Sequence, residues 1–258
     1  MDRFFVEPSQ LNLEDKTLYI DGEDVKHISK VLRYGPGDEI EVCDSNKHEY
    51  ICKIESIDKT RIDLSIVEEL DIKRESRIRV SLYQGLPKST KMEIILQKLT
   101  EAGVDEIVLV NTKRSVVNIK GDKADKKLDR WERIIYEAAK QSKRGMIPKL
   151  RGILSFKEAL EDMGKNDINI CPYEVEKSLG IKEALQTGQV KKILENKDEV
   201  RVGIFIGPEG GFAEEENEMV KAAGIASVTM GPRIFRTETA SIVATAITLY
   251  ELGDIGGI

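Results

Sequence analysis

Residues 204–212 read IFIGPEGGF: an apolar run enters Gly207-Pro208-Glu209-Gly210-Gly211, and acids follow at Glu214, Glu215, Glu216 and Glu218. Glycine admits positive φ and lets a ligand come close to the backbone. The stretch therefore predicts a tight loop at the carboxyl end of a buried strand, followed by an acidic helix. The G-x-G-x-x-G spacing of a dinucleotide fingerprint is absent, and no Lys-Ser or Lys-Thr pair follows as it would in a phosphate loop. The acids of the helix would repel phosphate and favour a neutral or cationic ligand. A plain β–α turn with its helix starting near Ala213 accounts for the same residues.

Around this stretch the chain alternates. Strands are predicted at 78–83, 106–110, 168–171, 200–206 and 227–230, and helices at 91–102 and 126–143, with Gly103 placed to stop the first helix. Alternating β and α elements predict an α/β fold with helices packed on a parallel sheet. Such sheets bind ligands at the carboxyl ends of their strands. Residues 1–73 read differently. Short β-branched or alternating runs lie at 18–20, 39–43, 50–57 and 61–67, and Tyr34-Gly35-Pro36-Gly37-Asp38 is a turn. One helix at 25–32 places Val25, Ile28, Val31 and Leu32 on one face. This pattern predicts a compact β-barrel. It carries ten basic and eighteen acidic side chains, a net of −8. The charged run 70–78 reads as a linker, so the predicted division is 1–73 and 74–258.

Of 258 residues, 40 are Lys or Arg and 46 Asp or Glu, a net charge of −6. That excludes a globally basic nucleic-acid binder but not a local basic surface. With 40% hydrophobic and 33% charged residues, the composition is that of a soluble globular protein rather than a disordered one. The longest apolar stretch, 242–250, includes two threonines and falls well short of the ~20 residues of a membrane span. Met1-Asp2-Arg3 opens without an apolar signal core. Cys43, Cys52 and Cys171 are too few and scattered for a disulfide framework, so a reduced cytoplasmic protein is expected. His48 and Cys52 lie near Cys43, but strand geometry does not cluster them, and no metal is expected. No Gly-x-Ser-x-Gly elbow accompanies His27, which argues against a Ser-His-Asp hydrolase.

Two further stretches carry chemistry. Residues 229–241 read TMGPRIFRTETAS: a loop with Arg233, Arg236, Thr237 and Glu238 enters a terminal helix that is apolar nearly all round. Such a helix is buried, in the core or against a partner subunit. Unpaired buried charge is costly, so Arg236 and Glu238 either pair, cap the helix, or serve a site. Residues 112–151 hold thirteen Lys or Arg against five Asp or Glu, a local net of +8. Glu137, Gln141 and Arg144 share a helix face. In an acidic chain this strip reads as a polyanion footprint, or as a solvated helix with snorkelling lysines.

IFIGPEGGF and TMGPRIFRTETAS together resemble the ribosomal RNA small-subunit methyltransferase E family, SPOUT-class enzymes that use S-adenosylmethionine to methylate uridine N3 in 16S ribosomal RNA. The resemblance runs over nearly the whole chain. It includes Arg3-Phe4-Phe5, His27-Ile28-Ser29-Lys30-Val31-Leu32-Arg33, Gly85-Leu86-Pro87-Lys88 and Lys98-Leu99-Thr100-Glu101-Ala102-Gly103. It also includes Arg114-Ser115-Val116, and Glu137 with Gln141-Ser142, Arg144 and Pro148; Phe235 and Ser241 fill positions expected to vary.

The resemblance implies a PUA-like RNA-binding β-barrel over 1–73 and, over 74–258, an α/β methyltransferase domain with a deep trefoil knot, a rare exception to the no-knot rule. It implies S-adenosylmethionine in the knot, a homodimer with its active site at the interface, the small ribosomal subunit as partner, and neither membrane nor metal. Carried over by motif, the cofactor-binding residues are Pro172, Tyr173 and Glu174; Gly207, Pro208, Glu209 and Gly211; and Met230, Gly231, Arg233, Ile234, Arg236, Glu238 and Ala240. Arg236 would stabilise charge on the target base, and Glu238 or the Thr237 hydroxyl would orient or accept its proton. His27, Arg33, Arg114, Gln141, Lys143 and Arg144 would contact RNA. Rival readings are a SPOUT ribose 2′-O-methyltransferase acting on transfer RNA and a non-catalytic ribosome-assembly factor.

Overall fold

In the computed structural model, residues 1–71, 74–115 and 122–256 are described; Lys73, at the expected division, and Val116 lie outside them. Two units emerge, one formed by Met1–Glu75 with Ala139–Ile147, the other by Ser76–Ala138 with Pro148–Ile258.

In the first unit, β1 (Arg3–Phe5), β2 (Leu11–Asn12), β3 (Thr17–Asp21), β4 (Glu39–Cys43), β5 (Glu49–Ile57) and β6 (Arg61–Leu70) form one sheet in the order β1-β4-β5-β6-β3-β2. β1 runs parallel to β4, and the other pairs are antiparallel. Alternation decides which side chains face inward: Leu18 and Ile20, Ile40 and Val42, and Ile62 and Leu64 enter one core with Phe4, Val25, Ile28, Tyr50 and Ile54. The Tyr34–Asp38 turn is closed by the Gly35 N–H donating to Asp38 Oδ2 (2.8 Å).

The helix expected at 25–32 is a single α turn, α1 (Glu23–Lys26), continued by a wider π turn over His27–Val31. The extra residue per turn rotates Val31 off the shared face, and it is 69% exposed. β1 was not legible because three residues give no periodicity. Its Arg3 is buried, donates to Glu41 Oε2 (3.1 Å), and reaches Glu49 and the carbonyls of Lys143 (3.0 Å) and Arg144 (2.6 Å). Burial disfavours its charge, but Glu49 and Glu41 outweigh burial and raise its pKa above the ordinary arginine value.

In the second unit, β7 (Ile78–Gly85), β8 (Glu106–Asn111), β9 (Lys149–Ser155), β10 (Ile168–Pro172), β11 (Val200–Ile206) and β12 (Ala226–Val228) form an all-parallel sheet in the order β12-β10-β11-β7-β8-β9. Near-continuous apolar strands such as β8 and β11 are what burial on both faces requires. The intervening helices are α2 (Ser89–Ala102), α3 (Asp122–Gln141), α4 (Phe156–Met163), α5 (Ile181–Leu185), α6 (Gly188–Asn196), α7 (Glu214–Ala222) and α8 (Thr237–Glu251). α2 stops at Gly103, whose φ of 105° only glycine adopts easily. The chain starts this sheet at β7 and builds outward both ways, to β8 and β9 on one side and to β11, β10 and β12 on the other. Open α/β sheets take ligands at the carboxyl ends of their strands.

The terminal helix is not buried all round. In α8, Ala240, Ser241, Ala244, Thr245, Thr248 and Leu249 are buried, whereas Ile242, Val243, Ala246 and Ile247 are half-buried and Tyr250 is exposed. Its inner face packs on α2, α5, β7 and β11. β9 and α4 were not foreseen: β9 is a half-covered edge strand, and α4 opens with a capping box of Ser155 and Glu158.

Candidate cofactor and active site

Three loops leave the carboxyl ends of the neighbouring strands β10, β11 and β12, and they line one cavity of about 350 Å3. Pro172, Tyr173 and Glu174 come from the first; Gly207, Pro208, Glu209 and Gly211 from the second; Met230, Gly231, Arg233, Ile234 and Arg236 from the third, with Thr237 and Ala240 where α8 begins. Of the residues expected to hold cofactor, Glu238 alone is absent from the wall. The loops need their glycines: Gly211 and Gly231 have φ of 64° and 107°, and a Cβ on Gly207 would stand 3.2 Å from the Gly211 backbone. The floor is equally tight, because a Cβ on Gly85 would lie 2.7 Å from Pro208 Cδ.

The acids of the site are held. Glu209 accepts a hydrogen bond from the Lys88 N–H (3.1 Å), and Lys91 Nζ lies 3.5 Å from Glu209 and 3.3 Å from Glu238. Burial raises the Glu209 pKa, but the Lys88 N–H and Lys91 outweigh it and hold the carboxyl below its ordinary range. Glu238 therefore pairs with Lys91, and Arg236 precedes α8 without a side-chain bond to it. Arg233 and Arg236 are exposed on the cavity's rim. Thr237 is buried, and its hydroxyl donates to the Gly207 carbonyl (2.6 Å). Buried Glu216 fixes the second loop from below, accepting from the Ala213 N–H (2.8 Å) and the Lys113 N–H (2.7 Å). Arg114 lies across that loop and donates to the Gly210 carbonyl (2.8 Å).

The remaining residues expected to contact RNA lie in the first unit. His27 is half-buried and edge-on to Phe4; Arg33 is exposed with φ 60°; Gln141 is exposed. Lys143 donates to Glu41 (2.6 Å) and the Met1 carbonyl (2.8 Å). Arg144 is buried, its guanidinium bonded to Glu75 at 2.9 and 2.8 Å, so that side chain is an internal strut rather than a free cation. Sequence reasoning missed Lys91, Ile206, Phe212, Thr229, Pro232 and Phe235 on the cavity wall. Lys91 stands 115 or more residues before the loops it meets, and nothing local marks it. Among the described residues no group of three or more His, Cys, Asp and Glu is placed to hold a metal, and no helix is long and apolar enough to cross a membrane.

The cavity suits S-adenosylmethionine. Its volume lies in the range of small-ligand sites, Ile206, Phe212, Pro172 and Ile234 give it apolar walls, and Glu174 and Glu209 offer carboxylates to a cation. The RNA methyltransferase domain family matches residues 74–249, and an RNA methyltransferase PUA domain family matches 20–67. Ribosomal RNA small subunit methyltransferase E of Bacillus subtilis is 34% identical over 256 residues, 97% of each chain. The Neisseria gonorrhoeae protein of that name, solved bound to S-adenosyl methionine, superposes with a TM-score of 0.81 at 29% identity over 97% of both chains. A Legionella pneumophila protein solved with its bound cofactor SAM gives 0.82 at 28% identity over 96% of both. The chain therefore belongs to the ribosomal RNA small subunit methyltransferase E family of S-adenosylmethionine-dependent methyltransferases.

Proposed function

We propose that this chain methylates N3 of a uridine in the 16S ribosomal RNA of the small subunit. The observation that carries the reading is the meeting of three strand-end loops in one cavity with Arg236 on its rim. When bound there, S-adenosylmethionine supplies a methyl group activated by its sulfonium. Neutral uridine carries a proton at N3, and removing it spreads negative charge onto O2 and O4. Arg236 stabilises that charge, a contribution of ~2.7–4 kcal/mol by analogy with an oxyanion donor. Glu238, paired with Lys91 outside the cavity wall, or the Thr237 hydroxyl on that wall orients or accepts the proton. The loops do the rest by holding the reacting atoms in line.

The same reading makes residues 1–73 a closed PUA-like barrel and 74–258 a SPOUT domain whose third loop threads a trefoil knot. His27, Arg33, Gln141, Lys143 and Arg114 grip RNA, while Arg144 braces the segment that presents them. The target uridine is presented unstacked, since N3 is hidden in a paired base. The active form is a homodimer, a reading supported by the half-covered apolar strip of α8. The protein works in the cytoplasm, where its ribosomal partner is assembled.

The test is labelled methyl transfer to small subunits from cells lacking the enzyme, followed by nucleoside analysis. N3-methyluridine is expected; a 2′-O-methylated ribose would replace this reading with the rival SPOUT activity, and failure to bind S-adenosylmethionine would favour the assembly factor. Arg236→Ala should slow single-turnover transfer at saturating cofactor by about 10²- to 10³-fold. Near-normal transfer by that variant removes Arg236 from the mechanism.

A further inference from the structure

Beneath the cavity lies a chain of hydrogen bonds that runs in one direction. The Ser241 hydroxyl on α8 donates to Gln84 Oε1 (2.5 Å), Gln84 Nε2 donates to Thr237 Oγ1 (3.1 Å), and the Thr237 hydroxyl donates to the Gly207 carbonyl (2.6 Å). The second hydrogen on Gln84 Nε2 goes to the Gly85 carbonyl (2.8 Å). Gln84 and Ser241 are fully buried, and Thr237 is 6% exposed. Each hydroxyl has one proton to give and each carbonyl only accepts, so the direction is fixed once the amide is oriented. Turned over, the amide would set its oxygen against the Gly85 carbonyl and its nitrogen against a hydroxyl that the helix can otherwise satisfy only through the Thr237 carbonyl (2.9 Å).

The chain joins three elements at one point. Gln84 is the penultimate residue of β7, the strand from which the sheet grows both ways; Gly207 opens the second loop; Thr237 follows Arg236 at the start of α8. Gly207 and Thr237 both line the cavity, whereas Gln84 and Ser241 do not. We infer that Gln84 is a positioning residue for the methyl-transfer site, its buried amide holding the second and third loops at the spacing that binds S-adenosylmethionine and fixes Arg236. Only a side chain with a donor and an acceptor in one planar group does this: a glutamate carboxylate lacks the donors, and methionine lacks donors and has only a weakly accepting sulfur. Buried polar chains of this kind are worth keeping only when every member is satisfied, and here the reward is a pocket formed before its ligand arrives.

The inference rests on the cavity being the cofactor's seat, and the experiment separates the two. Calorimetric titration with S-adenosylmethionine, single-turnover transfer and thermal melting would be measured for Gln84→Met, Gln84→Glu, Thr237→Val, Thr237→Ser and Ala240→Phe. Thr237→Val and both Gln84 variants are expected to weaken cofactor binding about tenfold or more, Thr237→Ser to return it to within about twofold, and saturating cofactor to recover part of the rate. Ala240→Phe fills the cavity and should abolish binding. If Ala240→Phe binds normally, the cavity is not the seat. If it fails to bind while Gln84→Met and Thr237→Val bind as the parent does, the seat stands and the positioning role falls. Should the Gln84 variants not fold, the Thr237→Val and Thr237→Ser pair decides: equal loss in both means that the hydroxyl does not position the loops.

Discussion

At the scale of single residues, the second unit is cross-braced by charges that do not touch the cavity. Asp162 accepts from Tyr83 (2.9 Å), Arg151 (2.6 Å) and Lys165 (2.7 Å), and Arg151 also reaches Glu106 (3.3 Å). Burial alone would raise the Asp162 pKa, but Arg151, Lys165 and Tyr83 overcome it and hold the carboxyl well below the ordinary range. A depressed carboxylate stabilises the fold fully above its unfolded pKa, near 3.9, and loses that contribution as the pH falls towards the folded value. Asp162→Asn should therefore lower the melting temperature at pH 7, and the gap from the parent should narrow as the pH is taken below about 4, as read by circular dichroism. Lys165 is a local partner, three residues from Asp162, but Tyr83, Glu106 and Arg151 were not legible in the sequence, because they come from β7, β8 and β9 and only the fold brings them to α4. Arg144 shows a different gap. Its spacing with Gln141 and Glu137 suggested an RNA face, yet composition cannot say which cation of a basic strip is consumed by an internal carboxylate such as Glu75.

Among the elements, the second and third bends could be read because their signals are local: Gly and Pro after an apolar run mark a strand end whatever surrounds it, whereas the first, at 172–174, came only with the family resemblance. Strands β4 and β11 fall at the predicted bounds, since four or more alternating or β-branched residues suffice. Short elements and edges were missed for the converse reason. The wall supplied by α2, with Lys91, and the floor supplied by β7 were invisible, as their relation to the loops is purely spatial. The floor gives a direct test. Gly85 meets Pro208 with no room for a methyl group, and overpacking of this kind costs ~1–3 kcal/mol. Gly85→Ala should lower the urea midpoint accordingly and weaken S-adenosylmethionine binding by displacing the Gly207–Pro208 loop; a variant with unchanged midpoint and affinity would show that the loop yields freely.

For the molecule as a whole, the apolar strip of Ile242, Val243, Ala246 and Ile247 is the clearest unfinished surface, although half of α8 is spent on its own core. If it seals a homodimer, sedimentation equilibrium should give a dimer at micromolar concentration. Ile247→Asp should give a folded monomer with little transferase activity, because a charge in such an interface is left without compensation. A dimer untouched by Ile247→Asp would move the interface elsewhere.

The first unit is stitched from two distant stretches, 1–75 and 139–147. A fragment cut at residue 75 deprives Arg3 of two carbonyls and Glu75 of Arg144. Losing one partner of a buried charge costs about 3–5 kcal/mol. The first unit is thus not a detachable cassette: during translation it stays incomplete until residue 147 has emerged, by which time the first strands of the second unit are already outside. Transplanting it to another enzyme would require carrying the later segment along.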